Sequence, residues 1–163
     1  MTLQRLSQQE RKDLLTLARE SITSAVSGKR LPKLHETQLT PLLRENGAAF
    51  VTLTIEGELR GCIGSLQAYR PLVEDVQEHA VDAALNDYRF LPLSEMEIAQ
   101  VKIEISVLTP SEPLRYEHPQ DLPGLLKPHA DGVVLRDGSL RATFLPQVWD
   151  QIPAPEEFLN QLC

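Results

Sequence analysis

The chain has 163 residues, 42% apolar and 24% charged, with a formal net charge of -7. Those values suit a globular domain of ordinary size and exclude a disordered or coiled-coil chain. The acidic balance argues against general nucleic-acid binding, which needs clustered Lys and Arg.

No apolar run approaches the roughly 18 residues of a membrane span, and Met1-Thr2-Leu3-Gln4-Arg5 leads into a polar helix start rather than a signal-peptide core. Cys62 and Cys163, one interior and one terminal, make no disulfide framework. A cytoplasmic protein with reduced thiols and no membrane attachment is expected.

In chain order, Ser7-Gln8-Gln9-Glu10 reads as a capping box. The helix after it carries Leu14, Leu15, Ala18, Ile22, Ala25 and Val26 on one face. Gly28 suits its C-cap and Pro32 prevents resumption. A polar connector leads to Thr40-Pro41, which predict a short helix stopped by Asn46-Gly47.

Residues 50–55 are rich in β-branched side chains, and the turn Glu56-Gly57-Glu58 returns them along residues 59–63, a hairpin. Pro71 suits the first turn of a second helix whose apolar stripe is Leu72, Val73, Val76, Ala80, Ala83 and Ala84. His79 falls on or beside that stripe, where a histidine is more often a hydrogen-bonded core residue than a ligand. Glu74-Asp75 and Glu156-Glu157, at helix starts, read as surface charges that complement the dipole.

This helix ends near Asn86-Asp87, and Ser94 to Glu97 offers another capping box for a short helical turn. Val101, Ile103, Ile105 and Val107 alternate with polar residues, the clearest strand in the chain. Pro110, Pro113, Pro119 and Pro123 mark a loop. Residues 133–135 and 140–144 flank Arg136-Asp137-Gly138-Ser139, a second hairpin with Asp-Gly turn chemistry. An amphipathic segment from Pro155 to Leu162 closes the chain, and it or Trp149 covers the core or a neighbouring subunit. Both confident connections are hairpins, so the expected fold is α+β, a largely antiparallel sheet packed against helices in a single compact domain spanning 1–163.

The stretch with the most chemistry is Leu59-Arg60-Gly61-Cys62-Ile63-Gly64. Gly61 and Gly64 allow positive φ or close approach, amides in such a turn can hold an anion, and Arg60 adds a planar donor fork. Cys62 is an activated thiol if it faces Arg60 or a helix start, and an inert one if it faces the core. His35, His79, His118 and His129 lie far apart and Cys62 lacks a CxxC partner, so no metal is expected; a composite of Cys62, His79 and His129 is not visible in sequence. Without a Walker loop or GxGxxG, no nucleotide cofactor is expected either.

Residues 59–64 match the hexapeptide signature of the AMMECR1 family letter for letter. The resemblance continues through Asn86-Asp87-Tyr88-Arg89-Phe90 with Pro92 and Leu93, through 101–108, and through 131–135 to 143–149. The chain is similar to the short prokaryotic form often called AmmeMemoRadiSam system protein A, found with a Memo-like protein and a radical SAM protein. That resemblance implies an α+β fold, no settled reaction, and membership of a modification pathway with those two proteins as partners. Relatives usually continue past the segment resembling 157–163 with Lys-Ala-Gly and a final Trp, so the last element is expected to be incomplete.

Two functions compete. In one, Cys62 is a nucleophile for transfer or modification chemistry, His79 its base, and the signature glycines supply oxyanion donors. In the other, a non-catalytic adaptor uses Arg60, the amides around Gly61 and Gly64, and Arg89 to hold an anionic small molecule or a carboxylate on a partner protein. Asn86, Asp87 and Arg89 either line the same cleft or merely stop the helix.

Overall fold

The computed structural model describes residues 6–163; the expected polar lead at Met1–Arg5 lies outside them. The chain falls into two compact units, Met1–Ser111 and Glu112–Cys163. Their boundary sits between Pro110 and Pro113, where proline removes backbone donors and limits regular structure.

The first unit is built on helix α1 (Gln8–Val26), the short α2 (Pro41–Arg44), helix α3 (Leu72–Leu85) and strands β1 (Asn46–Ile55), β2 (Glu58–Gly64), β3 (Arg70–Pro71) and β4 (Lys102–Leu108). The capping box of α1 forms as expected: Glu10 N–H donates to Ser7 Oγ at 3.2 Å, and Ser7 N–H donates to Glu10 Oε2 at 2.7 Å. The Glu10 carboxyl is held below its usual range, first by the Thr40 hydroxyl and then by Ser7. Asn46 and Gly47 do not stop α2; they open β1, and Gly47 leaves room for the Leu72 side chain, whose Cβ lies 2.8 Å from where a Cβ on residue 47 would sit. Pro71 caps α3 rather than opening it, and pairs with Asn46 instead.

β1 is the central strand, antiparallel to both β2 and β4. Ala49, Val51 and Leu53 turn to the helices and are fully buried with Val76, Ala80, Ile22 and Ala18. Side chains alternate along a strand, so Phe50, Thr52 and Thr54 face the other way, opposite Gly64, Cys62 and Leu59 on β2. A bulge between Leu53 and Thr54 leaves Arg60 as the extra residue of β2.

The second unit holds α4 (Leu122–Leu125), the hairpin of β5 (Val133–Asp137) and β6 (Leu140–Phe144), and α5 (Pro155–Leu162). The hairpin turn is Gly138-Ser139, with Gly138 at φ +58°, so Asp137 belongs to the strand and not to the expected Asp-Gly turn. Trp149 and Phe158 are fully buried and stack at 3.7 Å between ring centroids, with Phe144 edge-on to Phe158. Trp149 Nε1 donates to Asp131 O at 2.7 Å, so the indole enters this core without an orphaned donor. α5 thus covers the core of its own unit through Phe158. The fold is α+β with antiparallel sheets, and no helix among the described residues is long and apolar enough to cross a membrane.

Gly61 is the tightest position in the first unit: a Cβ there would sit 2.0 Å from the Ala83 carbonyl oxygen of α3. Gly61→Ala is expected to cost about 1–3 kcal/mol in urea unfolding, the range for overpacking. Gly124→Ala, with open space around the new methyl, is the control and is expected to change stability by less than about 1 kcal/mol.

Candidate functional site

The signature occupies β2, and its two glycines are there for contact rather than for positive φ. Gly61 meets α3, while a Cβ on Gly64 would lie 2.3 Å from Phe50 Cγ and 2.5 Å from Ala49 O. With Gly61 turned to α3, the next side chain, Cys62, projects to the opposite face of the sheet. Its Sγ lies 3.3 Å from Thr52 Oγ1, the cross-strand neighbour, and the residue is half-buried.

Both peptide groups of Cys62 point out of the sheet edge and are met by side chains from beyond α3. Cys62 N–H donates to Asp87 Oδ2 at 2.9 Å, and Arg89 Nη2 donates to Cys62 O at 3.2 Å. Asp87 and Arg89 are joined to each other at 2.6 Å and 2.9 Å. The Arg89 guanidinium holds the Asp87 carboxyl far below the usual carboxylate range, with the amides of Cys62 and Arg89 adding to it against burial. The two residues thus do for this edge what a further strand would do: one accepts from the N–H, the other donates to the C=O.

Arg60 makes a second attachment. Its Nε donates to Glu97 Oε1 at 2.8 Å, Nη1 to Leu91 O at 2.9 Å, and Nη2 to Glu97 Oε2 at 3.2 Å. Glu97 also accepts from Ser94 N–H and Ser94 Oγ at 2.9 Å and 2.8 Å, so the expected capping box forms on a short turn that is also clasped to Arg60. Arg60 first, then the Ser94 amide and hydroxyl, lower the Glu97 pKa to about 2.

His79 is not part of this cluster. It is buried on α3 with Nε2 3.3 Å from Asp75 Oδ1 and Nδ1 4.0 Å from Asp82 Oδ2. Neither ring nitrogen is aligned for a hydrogen bond, so the contact with Asp75 is electrostatic at most. Asp75 is fully buried, not a surface charge at a helix start: it accepts from Ala49 N–H at 2.9 Å and Ser65 Oγ at 2.9 Å, with Arg70 Nε at 3.7 Å. A signal existed, because Asp75 is three residues after Leu72 and four before His79, on the inward stripe.

The structure therefore brings Arg60, Gly61, Cys62, Asp87 and Arg89 together and leaves His79 in a separate network. Asn86 bonds back to Asp82 at 2.7 Å, a helix-end contact that does not reach the signature. His129 lies in the second unit, 3.1 Å from Asp150, so the Cys62, His79 and His129 composite is not assembled within the first unit. Among the described residues no group of His, Cys, Asp and Glu could hold a metal ion. Two cavities of the first unit, of about 140 Å³ and 400 Å³, are lined from α1, α2, β3, α3 and the connector residues 31–39, and no signature residue lines either.

Because the folded-state pKa of Glu97 is depressed, its contribution to stability is complete above the reference value of 4.5 and is lost as pH falls toward about 2. Wild type is expected to lose more thermal stability than Glu97→Gln between about pH 5 and pH 2. Parallel stability curves for the two proteins would show that the Arg60 clasp contributes nothing to folding.

The AMMECR1 family model matches residues 15–163. A protein of Methanothermobacter thermautotrophicus is 38% identical over 97% of this chain and 82% of its own length, and one of Thermofilum pendens is 36% identical over 98% and 79%. The crystal structure of an uncharacterized protein from Pyrococcus horikoshii superposes with a TM-score of 0.85 at 33% identity, covering 93% of this chain and 76% of that one. By the family-model match across residues 15–163 and relatives 36–38% identical over nearly the whole chain, the chain belongs to the AMMECR1 family.

Proposed function

We propose that the protein is a non-catalytic, partner-binding component of a radical-SAM/Memo-linked modification pathway, and that residues 87–98 are its docking platform. The observation that carries this reading is the exposure of Tyr88, Leu91 and Met96, at 94%, 83% and 83%, on a segment clasped by Arg60, Asp87 and Arg89. Single exposed apolar side chains are ordinary, but three large ones within nine residues of tied-down backbone have little ordering entropy left to lose on binding. Tyr supplies rigid amphipathic area at interfaces and Met an adaptable one.

The anion-holding version of the adaptor is less well supported. The Arg60 and Arg89 donors named above already serve Glu97, Leu91 O, Asp87 and Cys62 O, and the Cys62 amide meets an internal anion, Asp87. The pathway itself is carried by the family resemblance. Purified Memo-like and radical SAM proteins from the same organism, titrated separately by calorimetry, provide the test. At least one is expected to bind, and Tyr88→Ser combined with Leu91→Ser and Met96→Ser to weaken it by about 30-fold or more, near the 2 kcal/mol of an interface hot spot. Neither protein binding, or the triple variant binding as wild type does, sinks the platform.

One observation favours thiol chemistry as a second reading: Cys62 is half-buried rather than fully buried, and its hydroxyl neighbour Thr52 can hydrogen-bond a thiolate. In that reading Cys62 acts without His79, whose ring is held beside Asp75. Alkylation of the Cys163→Ser variant decides it: native-state reaction faster than that of the unfolded chain supports a reactive thiol, and protection until unfolding removes it.

A further inference from the structure

The hairpin of β5 and β6 carries an arrangement that folding alone does not favour. Arg136 and Arg141 are direct cross-strand partners, both exposed. The two-residue turn Gly138-Ser139 makes Asp137 and Leu140 the closing pair, which in such a turn exchanges backbone hydrogen bonds. Arg136 and Arg141 are then the next, non-hydrogen-bonded pair, in which side chains come closest. Like charges at that spacing are destabilising.

The rest of the hairpin does not relieve the repulsion. Side chains alternate, so Asp137 projects to the opposite face, while Val134 and Thr143 flank the two arginines on theirs. Among the described residues neither Arg136 nor Arg141 forms an ion pair, although the chain carries 23 acidic residues against 16 basic ones. Thr143 Oγ1, on the same face, is shielded from solvent and has no hydrogen-bond partner.

We infer that Arg136 and Arg141 form a binding site for a phosphate monoester dianion. Two guanidinium forks rising from opposite strands offer paired donors to one tetrahedral group, and its two negative charges balance their two positive ones. A carboxylate, with one charge and two oxygens, satisfies one fork and leaves the repulsion in place. The inference is independent of the platform at residues 87–98, since it rests on a different unit and different residues.

The test uses the whole chain and inorganic phosphate as probe at about pH 8, where the dianion dominates, with ionic strength held constant by sodium chloride. Arginine Nε–Hε resonances are followed by NMR. Saturable shifts at both arginines are expected, together with a rise in Tm over the chloride control. Arg136→Gln and Arg141→Gln, both at exposed positions that leave the fold intact, are each expected to weaken binding by about tenfold. Arg141→Glu replaces repulsion by attraction, so its Tm is expected to exceed that of wild type without phosphate and to stop responding to it.

A phosphoserine peptide that binds more tightly than inorganic phosphate would assign the source to a modified protein, and equal binding would assign it to a small phosphate compound. Shifts that never saturate, acetate binding as well as phosphate, or Gln variants with wild-type affinity would each overturn the site.

Discussion

The contact on which the first unit depends is the Asp87 carboxylate between Cys62 N–H and the Arg89 guanidinium. β2 pairs on one side only, with β1, so its outward peptide groups need partners from elsewhere. A carboxylate accepting from a backbone amide and a guanidinium is a charge-assisted arrangement, worth about 1.5–3 kcal/mol per bond where a neutral one is worth about 1. Burial opposes the ionised form, yet the Asp87 pKa falls, so the hydrogen bonds win over desolvation. Without that carboxylate, the Cys62 N–H would lose its acceptor and Arg89 would keep only its bond to Cys62 O.

This contact explains how the hexapeptide of β2 and the segment that follows α3 fit each other. The hexapeptide supplies an edge, a bulged arginine and two positions without a Cβ; the segment from Asp87 to Glu97 supplies the groups that close on them. Gly61 lets β2 approach the end of α3, and that approach brings Asp87, just past the helix, to within 2.9 Å of the Cys62 amide. The bulge re-aims Arg60 toward Glu97 and Leu91 O. Each half is uninformative without the other, and their joint product is a surface segment of fixed shape.

What the sequence carried and what it did not divide along a physical line. Local signals were legible: the Ser7 box, the stripe of α3, the alternation of β4 and the first hairpin all depend on residues close in the chain. Pairings between distant side chains were not. Ser94 to Glu97 reads as a cap and forms one, but that the same carboxylate also binds Arg60, 37 positions away, has no local signal. Asp75 reads as a dipole charge for the same reason, and its true partners, Ala49 N–H and Ser65, lie across the sheet. The residues of the signature could be found from sequence, whereas the face to which each turned could not, since a bulge shifts the register that sets it.

The arginines of this chain differ in what already engages them. A guanidinium already engaged by a carboxylate and backbone carbonyls has a low remaining potential, and a ligand would have to displace partners held at near-ideal distance. Arg60 and Arg89, in the most recognisable motifs of the chain, are in that state, while Arg136 and Arg141 are cross-strand partners that form no ion pair among the described residues. Motif strength and chemical availability are therefore separate properties here. The first follows from how many contacts a stretch must satisfy to hold the fold, the second from which donors that satisfaction leaves over.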